Sequence, residues 1–322
     1  VKGRKVVVIS TGQASVSSQV PSDAAVAAAR AIGWQVELYD AKLDPANFAP
    51  LTRQAIASGA DGIVLDAIDC LAVQQPLREA KARGVAVVPI YAFDCNDPLA
   101  GGAKESLFSS YTNFGAKAQA DDLPAFASSY GADQARYVVA SSGDKAKVLV
   151  VEDPTFTVVT YTSRGFTTTI GASGGSKVVS TLRISPSDIL TGKLVPKIQV
   201  ELLRHPEATW IKSPYTYVTQ LGIVPALGPR AGQVKVMGGE GFAPELDLIR
   251  QGKVTAANVI SSEWVGWSAI DTMNSVFRKE PVRDSGIGWT MADKGHNLPA
   301  SGELVPPVDF KAQYEKAWGV RP

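Results

Sequence analysis

ASGADGIVLDAIDCLAVQQPLREAKARGVAVVPIYAFDCND, residues 57–97, places two short apolar runs on either side of one helical stretch. The runs, Gly62–Leu65 and Ala86–Tyr91, lack the period-two alternation of a half-exposed strand, as parallel strands covered on both faces do. Val73–Ala82 between them reads as a helix, and Gly59 and Gly84 stand where a glycine ends one. Toward the N-terminus the unit repeats, with runs at Val6–Ile9 and Gln35–Tyr39, helical stretches at Ser22–Ile32 and Phe48–Ser58, and Gly33 after the first helix. This βαβαβαβ order predicts an α/β fold with a parallel open sheet and helices on both faces.

The pattern then restarts. A helix from about Ala116 to Ser128 precedes strand Lys147–Val151, and strands follow at Lys177–Leu182, Thr209–Lys212, Val234–Met237 and Ala256–Ile260. Helices are expected near Phe166–Ile170, at Ile189–Arg204, near Tyr217–Ala226, at Glu245–Gln251 and at Gly266–Phe277. The tail from Val282 to Pro307 is rich in Pro and Gly, and Val308–Trp318 reads as a short closing helix or an extension that packs on the body. A chain of 322 residues exceeds what one core usually holds, so two doubly wound, Rossmann-like lobes are the expected architecture.

Composition narrows the function class. Lys and Arg total 32 against 31 Asp and Glu, for a net charge of +1, which gives no broad pull toward nucleic acid or acidic lipid. Apolar residues make up 45% and mean hydropathy is +0.03, ordinary for a folded globular chain. No apolar run approaches the length of a spanning helix. Because the chain starts at Val1 rather than Met, a leading segment is expected to have been removed, and a secretion signal or a lipid anchor would fit there.

In an open parallel sheet, ligands bind beyond the carboxyl ends of the strands. Here those segments are polar and aromatic: Ser10–Gln19, Asp66–Cys70, Ala92–Asn96, Glu152–Arg164, Pro214–Tyr217, Gly238–Phe242 and Ser261–Trp267. Asp66, Asp94, Glu240 and Glu263 supply acceptors, Gln13, Ser17, Asn113 and Arg164 can donate, and Tyr161, Tyr215, Tyr217, Trp264 and Trp267 can stack on a ligand. Each has a plainer reading. Trp264 and Trp267, on a helix, can be core; Asp94 can cap the following helix; and Gly238-Gly239 can be only a tight turn.

Cys70 and Cys95 follow the third and fourth strand runs at nearly equal distances. If those strands are neighbours the thiols can bridge, as suits an exported protein; otherwise they are two small unpaired residues. The spacing matches no zinc or redox motif.

Taken together, VVVISTGQ (6–13), ASGADGIVLDA (57–67), ARGVAVVPIYAFDCND (82–97), YTNFG (111–115), VKVMGGEGFAPELDLIRQGKVTAANV (234–259) and VDFKAQYEKAWG (308–319) resemble the type I periplasmic solute-binding proteins of ABC transporters, in their ribose- and galactose-like sugar-binding group. The resemblance implies two lobes, 1–111 plus 262–285 and 112–261 plus 286–322, with crossings near Ser110–Asn113, Ile260–Glu263 and Val282–Trp289. It also implies hinge closure on a solute, docking on a membrane permease, and a periplasmic or extracellular monomer with no cofactor. Residue by residue, Asp94 matches the family's sugar-clamping aspartate, Asn113 its crossing asparagine, and Glu240 stands where an aspartate is usual. The family's arginine falls near Thr160–Tyr161, with Arg164 the nearest replacement, and Pro214-Tyr215 replaces a polar residue. Val16 and Ser17 occupy the place of its first aromatic pair, and its later glutamine falls near Ile260–Ser262. These departures point to a solute that is either sugar-like or partly apolar and aromatic.

Two rivals remain. An enzyme would need a general base, but His205 precedes Pro206 at a helix end and His296 lies in the irregular tail. TFTVVTYTSRG (155–165) offers hydroxyls without a base, and no G-x-S-x-G, H-E-x-x-H, Walker A or G-x-G-x-x-G motif appears. The ligand-sensing part of a LacI-type regulator, lacking its DNA-binding part, would share the fold; such regulators carry a helix-turn-helix ahead of the sheet, which here begins at Val6.

Overall fold

The first half of the chain forms one four-stranded parallel sheet in the order β2-β1-β3-β4, built from β1 (Lys5–Ser10), β2 (Gln35–Asp40), β3 (Gly62–Asp66) and β4 (Ala86–Ile90). Alternate residues of β1 explain the unbroken apolar run. Val6 and Val8 join a cluster with α1 (Val16–Ala31) and α11 (Ser262–Arg278), while Val7 and Ile9 join one with α2 (Phe48–Ala57) and α3 (Cys70–Ala82). Both faces are covered, so each aliphatic side chain contributes the roughly 1.5–3 kcal/mol of full burial. Edge strand β2 alternates between exposed and half-buried positions. In this computed structural model residues 3–114 and 123–320 are described.

The second sheet has six strands in the order β10-β9-β8-β7-β5-β6. They are β5 (Lys147–Glu152), β6 (Lys177–Arg183), β7 (Trp210–Lys212), β8 (Lys235–Met237), β9 (Ala256–Ile260) and β10 (Trp289–Asp293). Val148 and Val150 face α4 (Leu123–Ser142) and α5 (Thr157–Gly171). Leu149 and Val151 face the side of α7 (Leu194–Arg204) and α10 (Ala243–Arg250). Two parallel α/β layers thus match the expected fold class.

Local departures have local causes. The expected helix Ile189–Arg204 is two, α6 (Pro186–Leu190) and α7, separated where Gly192 takes a φ of 70°. The stretch near Tyr217–Ala226 is α8 (Thr216–Val218), a π-turn over Thr219–Ile223 and α9 (Val224–Leu227). Helix α1 starts at Val16, so the first strand-to-helix loop is shorter than the expected Ser10–Gln19. The start of the expected helix 116–128 lies partly outside the described residues, and α4 is described from Leu123. Strand β10 was not anticipated; it pairs antiparallel with β9 and covers that edge.

The tail returns to the first layer. Helix α12 (Phe310–Trp318) stacks its aromatics on α11: Phe310 on Trp264 with centroids 5.2 Å apart, and Trp318 on Trp267 at 5.6 Å. Trp318 Nε1 donates to Asp271 at 2.7 Å. Where the chain passes between layers, Asn113 bridges to Asp284 and accepts from Ser285 N at 2.8 Å, so the first and third expected crossings lie side by side.

Candidate ligand site

The carboxyl ends of the two sheets enclose a cavity of about 100 Å³. From the first layer, Ser15, Ser17 and Ser18 bring the start of α1 to its wall, joined by Leu43, Ala67 and Tyr91. Those last three are non-glycine residues with φ of 60°, 52° and 52°, and Ala67 and Tyr91 directly follow β3 and β4. Such backbone costs on the order of 1–3 kcal/mol per residue, and it concentrates where a ligand is gripped. From the second layer come Phe126 and Tyr130 on α4, Phe156, Val158 and Val159 at the start of α5, and the strand-end residues Tyr215 and Glu240.

Most hydroxyls on this wall are already engaged. Tyr130 donates to the carbonyls of Gly239, at 3.0 Å, and Asn258. Tyr215 donates to Asp153 Oδ2 at 2.9 Å, Thr162 to Val158 O at 2.9 Å, and Tyr91 pairs with Ser262 Oγ at 3.0 Å. Among the described residues lining the cavity, Glu240 is the only carboxylate. Its Oε2 accepts from Thr216 N at 2.6 Å and from Ser17 Oγ, across the cleft, at 3.4 Å. Burial pushes its carboxyl up to about 7; the Thr216 N–H opposes that rise and the charge of Glu245 adds to it.

The loop carrying Glu240 is held by a second carboxylate. Buried Glu245 accepts from Gly239 N at 2.8 Å, Gly241 N at 2.9 Å and Thr216 Oγ1 at 2.9 Å. A side chain at Gly239 would put its Cβ 2.5 Å from Thr216 N, so only glycine lets the two strand-end loops meet there. Beneath, Lys212 is fully buried with its Nζ unpaired among the described residues. Burial lowers its pKa to about 8, while the charges of Glu152 and Glu240 pull it back up.

The expected site residues divide. Ser17, Tyr215 and Glu240 converge on the cavity. Asp66 lies off its wall, fully buried, with Oδ2 accepting from Ser22 Oγ at 2.9 Å and its pKa raised well above normal by burial. Asp94 is 1% exposed and is consumed by its own loop: it accepts from Cys95 N at 2.7 Å, Ser106 Oγ at 2.5 Å, Leu107 N at 2.8 Å and Phe108 N at 3.0 Å. Gln13 is not on the cavity wall, its N–H donating to Asp40 at 3.0 Å, and Asn113 lies in the crossing bridge. Arg164 is exposed on α5, and Trp264 is committed to α12, with Nε1 donating to Tyr314 at 3.3 Å. Tyr161 joins the layers differently: it stacks on Phe93 at 5.1 Å and donates to Asp97 Oδ2 at 2.9 Å.

Two features secure the rim around Asp94. The sulfurs of Cys70 and Cys95 stand at disulfide distance, with Cα atoms 5.0 Å apart, and β3 and β4 are indeed neighbours. Asp69 accepts from Phe93 N at 2.7 Å and, across the cleft, from Thr157 N at 2.8 Å. The N-cap of α5, Phe156, has no side-chain acceptor, so a carboxylate of the opposite layer takes that place. Burial pushes Asp69 up to about 6, against its backbone hydrogen bonds.

Tyr91, Phe126, Tyr130 and Phe156 were not singled out from sequence. Tyr91 read as the last residue of a strand, and the α4 pair carries only a four-residue spacing on one helix face, which core residues share.

The pattern of a periplasmic binding protein domain matches residues 6–281. No curated protein matches the sequence. Among solved structures, an ABC transporter solute-binding protein from Agrobacterium vitis bound with alpha-D-tagatopyranose is similar at 21% identity and TM-score 0.76, over 91% of this chain and 95% of that one. One from Mycobacterium smegmatis with bound glycerol is similar at 22% identity and TM-score 0.75, over 94% of this chain and 100% of that one. The Caulobacter myo-inositol binding protein is similar at 17% identity and TM-score 0.74, over 92% and 95%.

Proposed function

Because the chain belongs to the periplasmic binding protein domain family and has its type I two-layer fold, we propose that it is the extracytoplasmic solute-binding component of an ABC importer. One observation carries the reading: the cavity opens where the carboxyl edges of both sheets face each other, with Ser17 of one layer reaching Glu240 of the other. The lobes are 1–111 plus 262–285 and 112–261 plus 286–322, with α12 reaching back to α11. Ser17, Tyr215 and Glu240 contact the solute.

Closure brings the lobes together as a hinge movement. The bonds from Thr157 N to Asp69 and from Tyr161 to Asp97 then act as its latch, and the closed monomer presents itself to a membrane permease. Among the described residues no helix is long and apolar enough to cross a membrane. The cleft is a binding site that releases its solute unchanged. The sugars and polyols named with its structural neighbours set the first compounds to try.

A thermal-shift screen of sugars, polyols and small aromatic or alicyclic compounds, followed by small-angle scattering of each hit, tests this. A binder should raise Tm through mass action and reduce the radius of gyration. If no compound does either, the proposal fails.

A further inference from the structure

The cavity wall also constrains what the solute is made of; this step rests on the cleft being the solute site. We infer that the solute is a ring-shaped, largely apolar molecule, aromatic or alicyclic, whose one hydroxyl or ring N–H meets Glu240, rather than a polyhydric sugar. The geometry is that of a single polar point on an apolar cage. Tyr91, Phe126, Tyr130, Phe156 and Tyr215 supply aromatic surface from both layers, with Val158, Val159 and Leu43 between them.

The polar atoms of that cage are mostly spent. The hydroxyls of Tyr130, Tyr215, Tyr91 and Thr162 serve protein partners, and Asp94, where a sugar clamp was expected, is filled by four donors of its own loop. A pyranose has polar groups around its whole rim. Each hydroxyl buried without a partner costs about 1–3 kcal/mol, so a sugar here would lose more than its ring gains.

What remains is one corner. Glu240 lies there with the serines of the α1 start, Ser15, Ser17 and Ser18, and the N-cap Ser15 makes no side-chain cap bond. A hydroxyl at this corner donates to the Glu240 carboxylate and accepts from a serine hydroxyl, so its donor and an acceptor lone pair are both used. A ring without a polar group would bury Glu240 with nothing in return. A ring carrying a carboxylate would set its charge against the ionised form of Glu240.

Calorimetry and thermal shift on the full chain, with p-cresol, cyclohexanol and toluene set against D-glucose and myo-inositol, test the inference. The expected result is binding by p-cresol or cyclohexanol, with toluene and both polyols at least about tenfold weaker. Glu240→Gln should erase most of the p-cresol advantage over toluene and leave toluene itself little changed. The inference is overturned if a polyol binds as tightly as the two alcohols, or if neither alcohol binds. A polyol response in that case leaves the solute-binding reading standing, whereas silence from all five probes counts against both. An unchanged p-cresol preference in Glu240→Gln overturns the assigned role of Glu240.

Discussion

The loops after β4 and β8 occupy corresponding places, one in each layer, and each carries a carboxylate that strand-end reasoning marks as a ligand contact. They have been built to opposite ends. In the first layer Asp94 is turned inward, and its two oxygens gather the amides of Cys95, Leu107 and Phe108 and the hydroxyl of Ser106. In the second layer that organising task falls to Glu245, which ties down Gly239, Gly241 and Thr216. Glu240 is thereby left on the cavity wall, accepting from Thr216 N and, at longer range, from Ser17 across the cleft. In the second layer one carboxylate orders the loop and another lines the cavity, whereas in the first Asp94 orders the loop and its neighbour Asp97 takes the hydroxyl of Tyr161 from the opposite layer, so neither faces the cavity.

The sharpest way to break this comparison is to remove each carboxylate. Asp94→Ala would strand several buried donors, each costing about 1–3 kcal/mol, so a loss of about 3–5 kcal/mol is expected by chemical denaturation. Glu240→Ala should cost the fold far less and instead abolish binding of whichever solute the cleft accepts. Equal destabilisation by both, or an Asp94→Ala protein of wild-type stability with impaired binding, would show that the two loops share one role.

The same contrast explains which parts could be read from sequence. The sheets could, because strands covered on both faces leave unbroken apolar runs such as Val6–Ile9 and Gly62–Leu65, and glycines mark where helices stop. Ser17, Tyr215 and Glu240 could, because topology alone places strand ends at the cleft. The fate of Asp94 could not: its donors arrive from Ser106–Phe108, a segment without regular structure that folds back by contacts no spacing records. Trp264 looked like a stacking platform because nothing in its own helix shows that Phe310 will lie against it. The aromatic wall was missed since Phe126 and Tyr130 reach the cavity from a helix, and Tyr91 from a strained turn rather than a strand. Strand β10 is short and sits in a Pro- and Gly-rich tail, where pairing with β9 decides its conformation.

A smaller effect is expected from the clasp on the first-layer loop. Residues 70 and 95 are separated by 25 positions, and a bridge closing a loop of that length stabilises by about 3 kcal/mol, mostly through the unfolded chain. Cys70→Ser/Cys95→Ser should therefore lose about 2–3 kcal/mol, measured by denaturant unfolding, while keeping solute affinity within about threefold. Thiol titration of the unreduced, denatured protein should find no reactive sulfhydryl. Two reactive thiols would leave the Asp94 hydrogen bonds as the main constraint on that rim.

The smallest effect lies on Glu240 itself and appears only as pH changes. Its carboxyl is pushed from an ordinary 4.5 to about 7 by burial, so the folded protein holds this proton more tightly than the unfolded chain does. The resulting stabilisation is full below about pH 4.5 and disappears as pH rises through about 7. Glutamine cannot ionise, so the Tm of Glu240→Gln relative to wild type should climb between about pH 5 and about pH 8, by an amount equivalent to on the order of 1–3 kcal/mol. Asp69 and Asp153, both pushed up to about 6 by burial, titrate in the two proteins alike and largely cancel from the difference. A Tm difference that stays flat across this range would place Glu240 in water rather than against the aromatic wall. The cavity would then have a wetter, more sugar-like corner than its lining suggests, and the contrast with Asp94 would reduce to exposure alone.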